Sequence, residues 1–214
     1  MLLRPRALSS VHIVLPELMH RLFAIRFSQS VPDDPGANTR ALSAVPEAAE
    51  IAFESFFRQH EPRITTYLVR LLGDSETACD LCQETFLRAW QQFDNVQQHP
   101  APGAWLFRVA TNLALQHFRR RKGVVGQAVP LTALNDPASS DPGNHWVEHE
   151  IIRQVLLELP LKQRSLLLLR EVYGFSCAEV GEQLGMSLEA AKMALYRARL
   201  RFRELYLQKD GATK

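Results

Sequence analysis

From Phe53 onward the apolar residues return every three or four positions, and no stretch alternates apolar and polar residues convincingly over a strand's length. Phe53, Phe56, Phe57, Ile64, Tyr67, Leu68 and Leu71 set the pattern, which lines one face of a helix. The expected fold class is therefore all-α. With 46% hydrophobic and 22% charged residues, the composition is that of a folded globular chain and excludes collagen-like, repeat-tract and wholly disordered readings. Its 214 residues make one large domain or two small ones, too few for a barrel-sized enzyme.

Breakers divide the helical pattern in two. Residues 1 to about 46 are poor in acid, with Arg4, Arg6, Arg21 and Arg26 against Glu17, and contain the run Pro32-Asp33-Asp34-Pro35-Gly36, so a mobile N-terminal extension over 1–50 is expected. Ala7 to Pro16 makes a poor signal peptide, without an uninterrupted apolar region or a small-residue cleavage site. From Gly123 to Asn144, Pro130, Pro137, Pro142, Gly126 and Gly143 sit among Ser, Asp and Asn, the composition of a flexible linker. The predicted organisation is a helical unit at 51–123, a linker at 124–145, a second helical unit at 146–208 and a tail at 209–214.

Within the first unit, Pro62 is expected to kink or restart its helix. Gly73-Asp74-Ser75 ends that helix and caps the next, whose inward face reads Ala78, Leu81, Cys82, Phe86, Ala89 and Phe93. A third helix starts near Pro102 and runs into Arg119-Arg120-Arg121-Lys122 before Gly123. The second unit opens on Ile151, Ile152, Val155, Leu156 and Leu159, breaks at Pro160 and resumes through Leu166 to Val172, where Gly174 ends it. Ser176 and Glu179 form a capping box opening a short helix; Gly185-Met186-Ser187 is a tight turn; and the last helix buries Ala191, Leu195, Ala198, Phe202 and Leu205. A short helix, a Gly turn and a longer basic helix make the helix-turn-helix pattern.

The 25 Lys and Arg against 23 Asp and Glu leave a net charge of only +2, so affinity for nucleic acid must come from the distribution of charge. No run of about 18 uncharged apolar residues exists to cross a bilayer, so no stable membrane insertion is expected. An odd count of three cysteines argues against a disulfide framework and for a reducing, cytoplasmic location.

The last helix carries Lys192, Tyr196, Arg199 and Arg203 at i, i+4, i+7 and i+11, with Arg197 and Arg201 beside them, opposite its apolar stripe. Ser187, Glu189 and Met193 lie in its first turns, where a recognition helix approaches base edges. A solvated basic helix at a chain end is the plain alternative. On the third helix of the first unit, Trp105, Arg108, Asn112, Gln116 and Arg119 share a face, a mixture suited to exposed bases, although Trp105 fits a core position equally well. The second helix bears Asp80, Gln83, Glu84 and Arg88, which by itself reads as an ordinary surface stripe.

Two motifs look metal-like. Cys79-x-x-Cys82 has no second pair and places Cys82 on the apolar face, so a buried thiol explains it. His145-x-x-Glu148-His149 matches an inverted zinc-peptidase pattern, yet it borders the linker of a short chain, and a surface or capping role is the simpler account. No Gly-rich phosphate loop or nucleophile elbow occurs, so no catalytic residue, cofactor or metal is expected.

Asp80-Leu81-Cys82-Gln83-Glu84-Thr85-Phe86-Leu87-Arg88-Ala89-Trp90 is similar to the region-2 helix of bacterial sigma factors of the extracytoplasmic-function group. Trp105 to Ala114, running into the Arg cluster, resembles the promoter-reading helix that follows it. Leu159-Pro160 through Arg170, then Gly174-Phe175-Ser176 and Lys192 to Arg199, resemble the region-4 helix-turn-helix. The resemblance covers about Ala52 to Leu207. It implies a dissociable subunit that binds core RNA polymerase through Asp80, Gln83, Glu84 and Arg88. It places the minus-10 element on Arg108, Asn112, Gln116, Arg119, Arg120, Arg121 and Lys122, with the loop Gln92 to Gly103 holding a flipped base. The minus-35 element falls to Ser187, Glu189, Lys192, Met193, Tyr196, Arg197 and Arg199. Promoter DNA and an anti-sigma protein join polymerase as implied partners, and catalysis belongs to the polymerase. The family's usual Lys-Ser-Arg is here Lys192-Met193-Ala194, which alters the expected minus-35 preference. A polymerase-independent helix-turn-helix repressor is the alternative, although it leaves the first unit unexplained. A zinc hydrolase using His145, Glu148 and His149 is a remote one.

Overall fold

A computed structural model describes residues 47–124 and 145–213 of the chain. The expected N-terminal extension, up to residue 46, and linker residues 125–144 lie outside the described residues. Every described element is helical. The first unit comprises α1 (Glu47–Leu72), α2 (Ser75–Gln91), α3 (Phe93–Gln97) and α4 (Pro102–Val124). The second comprises α5 (His145–Glu158), α6 (Leu161–Leu167) running into a π-helical turn (Leu168–Val172), α7 (Cys177–Gln183) and α8 (Leu188–Thr213).

Helix α1 passes through Pro62 without restarting. An interior proline costs about 3 kcal/mol, whereas each large apolar side chain buried contributes about 1.5–3 kcal/mol. Phe53 and Phe57 before the proline and Ile64, Tyr67, Leu68 and Leu71 after it are all buried, so packing outweighs the lost hydrogen bond. Gly73, at φ +75°, turns the chain out of α1 in the left-handed region that only glycine enters cheaply. Asp74 then caps α2, its carboxylate accepting from the N–H groups of Glu76 and Thr77 at 3.3 Å each. The buried face of α2 is Ala78, Cys82, Thr85, Phe86, Ala89 and Trp90. Leu81, expected inside, is half-buried; Phe93 is buried but belongs to α3, a helix the sequence pattern does not announce. Rings lock this core: Phe53 lies 4.8 Å from Trp90 and 5.1 Å from Phe93, and Phe57 lies 4.6 Å from Phe86.

In the second unit Pro160 opens α6, and Gly174 follows the π-helical turn at φ +76°. The capping box forms: the Glu179 N–H donates to Ser176 Oγ at 3.2 Å, and the Ser176 N–H donates to the Glu179 carboxylate at 2.7 Å. The Ala190 N–H donates to Ser187 Oγ at 3.2 Å and starts α8, which buries Ala191, Leu195, Ala198 and Leu205 against α5, α6 and α7. A Cβ on Gly181 would sit 2.9 Å from the Met186 carbonyl oxygen, so a glycine there permits the tight helix-turn-helix. One apolar cluster runs through both units, from Phe53, Tyr67 and Phe107 to Leu161, Leu169 and Leu195.

Candidate nucleic-acid interface

The α4 residues expected to face DNA emerge together. Asn112, Gln116, Arg119, Arg120 and Arg121 are exposed and Arg108 is half-buried, while Leu106, Phe107, Ala110 and Leu113 point inward. Amphipathicity explains this: burying Phe107 and Ala110 turns the polar face outward along one side. Thr111 anchors that inner face, its hydroxyl donating to the Phe107 carbonyl at 2.7 Å and lying 2.7 Å from Tyr67 Oη. Burial raises the Tyr67 phenol above its ordinary range, so the ring stays neutral. Trp105 packs partly on the core and remains partly exposed.

On α2, Asp80 is exposed and Gln83, Glu84 and Arg88 are half-buried. Arg88 Nε donates to Glu84 at 3.0 Å, the i, i+4 pair that helical spacing allows. Glu84 and Arg88 share a cleft of about 270 Å³ with Leu81, Leu113, Gln116, His117 and Arg120. Residues assigned to two separate jobs thus line one groove, to which Leu81 and Leu113 add apolar lining. Half-buried His117, which no spacing pattern in the sequence marks, also lines it. Residues 92–103, expected to form a loop, hold α3, whose buried Phe93 and Val96 leave Gln97 and Gln98 outward.

Ser187 at the cap of α8 and Glu189, Lys192, Met193, Tyr196, Arg197 and Arg199 on it are all exposed. Lys192 Nζ lies 2.8 Å from Glu189, which raises the ammonium above its ordinary value. Arg199 is engaged by Glu171 of the π-helical turn, a partner that no periodicity argument finds because it is 28 residues away. Met193, Tyr196 and Leu200 form an apolar ridge between the cations.

Arg164 was also missed. It is buried, and its guanidinium donates to the carbonyls of Leu156 at 2.6 Å, Leu157 at 2.5 Å and Leu159 at 3.1 Å, and to that of Leu71 across the two units. Burial pushes it down to about 10, which leaves it charged at neutral pH. A lone Arg between Pro160 and an uninterrupted leucine run was the available signal. Cys82 is buried beside the Thr65 hydroxyl at 3.1 Å, and burial pushes its thiol up to about 12. Among the described residues no three His, Cys, Asp or Glu side chains gather as metal ligands, and the side chain of His145 lies outside the description. No helix among the described residues is long and apolar enough to cross a membrane.

Residues 56–124 match the family Sigma-70 region 2, and residues 149–202 match Sigma-70, region 4. Over 187 residues the chain is 32% identical to the ECF RNA polymerase sigma factor SigE of Mycolicibacterium smegmatis, covering 85% of this chain and 72% of that one. The chain belongs to the ECF RNA polymerase sigma factors. It is also 31% identical to the RNA polymerase sigma factor YlaC of Bacillus subtilis, over 72% of this chain and 91% of that one. Among solved structures, the fold is similar to that of the sigma factor RpoE in complex with the anti-sigma factor NepR from Bartonella quintana. That match has a TM-score of 0.61 at 23% identity and covers 72% of this chain and 96% of that one. Family membership decides between the sigma reading and the repressor and hydrolase readings. As a sigma factor, the chain is a transcription-initiation protein, and both of its helical units are accounted for.

Proposed function

We propose that the chain docks on core RNA polymerase through Asp80, Gln83, Glu84 and Arg88, and places α4 on the minus-10 element and α8 on the minus-35 element. The carrying observation is the shared groove: Glu84 and Arg88 of the docking stripe line it with Gln116 and Arg120 of the DNA-facing helix. A polymerase segment seated on α2 then fixes α4 beside the strands to be separated. Arg119, Arg120, Arg121 and Lys122 attract phosphates, and Asn112 and Gln116 offer amides to unpaired bases. Residues 51–123 and 146–208 act as two readers on one tether. The protein performs no catalysis of its own and works in the cytoplasm. An anti-sigma protein is a further partner; the similar sigma factor RpoE was solved in complex with the anti-sigma factor NepR.

The test is in vitro transcription with purified core polymerase on a library of promoter fragments. Sequence-selective transcripts that disappear with Asp80→Lys/Glu84→Lys, together with lost core pull-down, support the assignment. Undiminished pull-down by the double variant removes the docking role from α2.

A further inference from the structure

We propose that the outward ridge of α8 fixes which bases the minus-35 element must carry: Glu189, paired with Lys192, reads a C·G pair, and Met193 reads the methyl of a thymine about two steps away. The proposal rests on the assignment of α8 to that element and names what it recognises there. At roughly 100° per residue, Met193, Tyr196 and Leu200 lie within about 40° of Glu189 around the helix axis. All four are exposed, and the buried line of Ala191, Leu195 and Ala198 lies on the opposite side. Lys192, Arg199 and Arg203 flank the ridge on one side and Arg197 and Arg201 on the other, all of them exposed. A helix entering a major groove about 12 Å wide needs that arrangement, with cations for the phosphates of both strands and a centre left for base edges.

The centre of the ridge holds one acid and no cation. A carboxylate facing DNA is repelled by phosphate, so it suits the groove only where a donor meets it. Base edges there offer two donors, the N4 amino group of cytosine and the N6 amino group of adenine. Adenine sets its N7 acceptor beside N6, which repels a carboxylate, whereas cytosine presents N4 with no acceptor of its own. Cytosine is therefore the base that fits Glu189. Its partner guanine supplies the other half of the match. Lys192 Nζ donates to Glu189 Oε1 at 2.8 Å, so a donor and an acceptor stand side by side in the first turns of α8. The C·G pair shows the complement, cytosine N4 next to guanine O6, and an ammonium suits the O6 and N7 acceptors. Within the side-chain pair the two charges offset each other, which lets the carboxylate approach without net repulsion.

One turn on, Met193 is 51% exposed and has neither a donor nor a strong acceptor. The methyl that major-groove edges display is the C5 methyl of thymine. Four residues of helix rise about 6 Å, close to two base-pair steps of 3.4 Å, which sets the thymine about two steps from the cytosine. Ala194 is half-buried against the core and has no polar side-chain atom, so that position adds no competing hydrogen bond.

Selection of randomised duplexes by holoenzyme, with sequencing of the bound fraction, tests the assignment. The upstream block should hold a C·G pair with a T·A pair about two steps away. Glu189→Gln should turn the cytosine column to adenine, since a carboxamide pairs with N6 and N7 together, and discrimination should change by roughly five- to hundredfold. The variant also frees Lys192, which strengthens binding to every sequence alike and drops out of the comparison between duplexes. Uracil in place of the selected thymine should weaken wild type about fourfold, the value of one buried methyl, and leave Met193→Ala unaffected. Both side chains are exposed, so both variants should fold as wild type does. A cytosine column retained by Glu189→Gln, or uracil accepted by wild type at full affinity, overturns the base assignment and leaves α8 on the minus-35 element. A minus-10 block enriched with no upstream block overturns both.

Discussion

Arg199 Nε and Nη2 both donate to Oε1 of Glu171, at 2.9 and 2.6 Å, so a cation on the expected minus-35 face is neutralised by a carboxylate of its own chain. Both side chains are about half exposed, which makes the pair nearly worthless for stability and informative about charge. Glu171→Gln should leave the denaturation midpoint almost unchanged, within about 0.5 kcal/mol. Duplex binding by the holoenzyme should tighten, and the slope of log K against log salt should steepen by about one, because one more cation then meets phosphate. Fluorescence anisotropy across a salt series measures both; an unchanged slope removes Arg199 from the DNA contact.

Arg164 is the converse case, a charge whose value lies in structure. Its hydrogen bonds satisfy four carbonyls, those of Leu71, Leu156, Leu157 and Leu159, in a largely buried site. Hydrogen bonds to a charged group contribute about 1.5–3 kcal/mol each and do not add fully. Arg164→Leu should cost about 3 kcal/mol or more in urea denaturation, and Arg164→Lys should recover only part, since an ammonium has three donors and no planar fork.

Those two arginines mark where sequence reading stops. Helical periodicity gave all-α architecture, the helix starts at Asp74, Ser176 and Ser187, and the outward faces of α4 and α8, because amphipathic spacing and capping are local properties. Pro62 does not restart its helix because propensity is local while the burial of Phe57 and Ile64 on either side is tertiary. Helix α3 was illegible since five residues carry too little periodicity to stand out from a loop. Glu171 with Arg199, Arg164 with Leu71 and Phe107 with Tyr173 are contacts between elements distant in sequence, and no spacing rule encodes them. The roles of the α2 stripe came from resemblance alone, because the chemistry of Asp80 and Glu84 fits an ordinary surface equally well.

Acid should find the caps first. Asp74 is held below its ordinary value of 3.8, chiefly by the hydrogen bond from the Thr77 hydroxyl and further by two backbone N–H groups. Glu179 is held below 4.5 by the Ser176 hydroxyl and then by its backbone N–H. A carboxylate depressed on folding contributes stability above its unfolded pKa and loses it as pH falls through the folded value. Melting temperature should therefore be flat down to about pH 5 and drop below about pH 4. The double variant Asp74→Asn/Glu179→Gln should start lower and fall less over that window. A wild-type and variant pair with parallel acid limbs in thermal melts from pH 6 to pH 2 rules out this cause.

Asn112 separates binding from opening. It is exposed on α4 in line with Arg108, Gln116 and Arg119, at i+4, i+8 and i+11 counted from Arg108, and it carries no charge. A neutral amide adds nothing to counterion release, so Asn112→Ala should leave the salt slope and the affinity for closed duplex close to wild type. An unpaired base offers the amide a hydrogen-bonding edge that a stacked one hides, and such a contact is worth about 1–3 kcal/mol. The variant's yield of melted complex should fall by roughly fivefold to over a hundredfold, on the scale of tenfold per 1.4 kcal/mol. Arg120→Ala should behave oppositely, weakening duplex binding for every sequence and flattening the salt slope by about one while sparing the melted fraction of the complexes that form. Permanganate reactivity of unpaired thymines, read beside a filter-binding salt series, resolves the two effects. Equal losses of binding and melting in both variants would show that α4 presents a single electrostatic surface, with no base-reading position at Asn112.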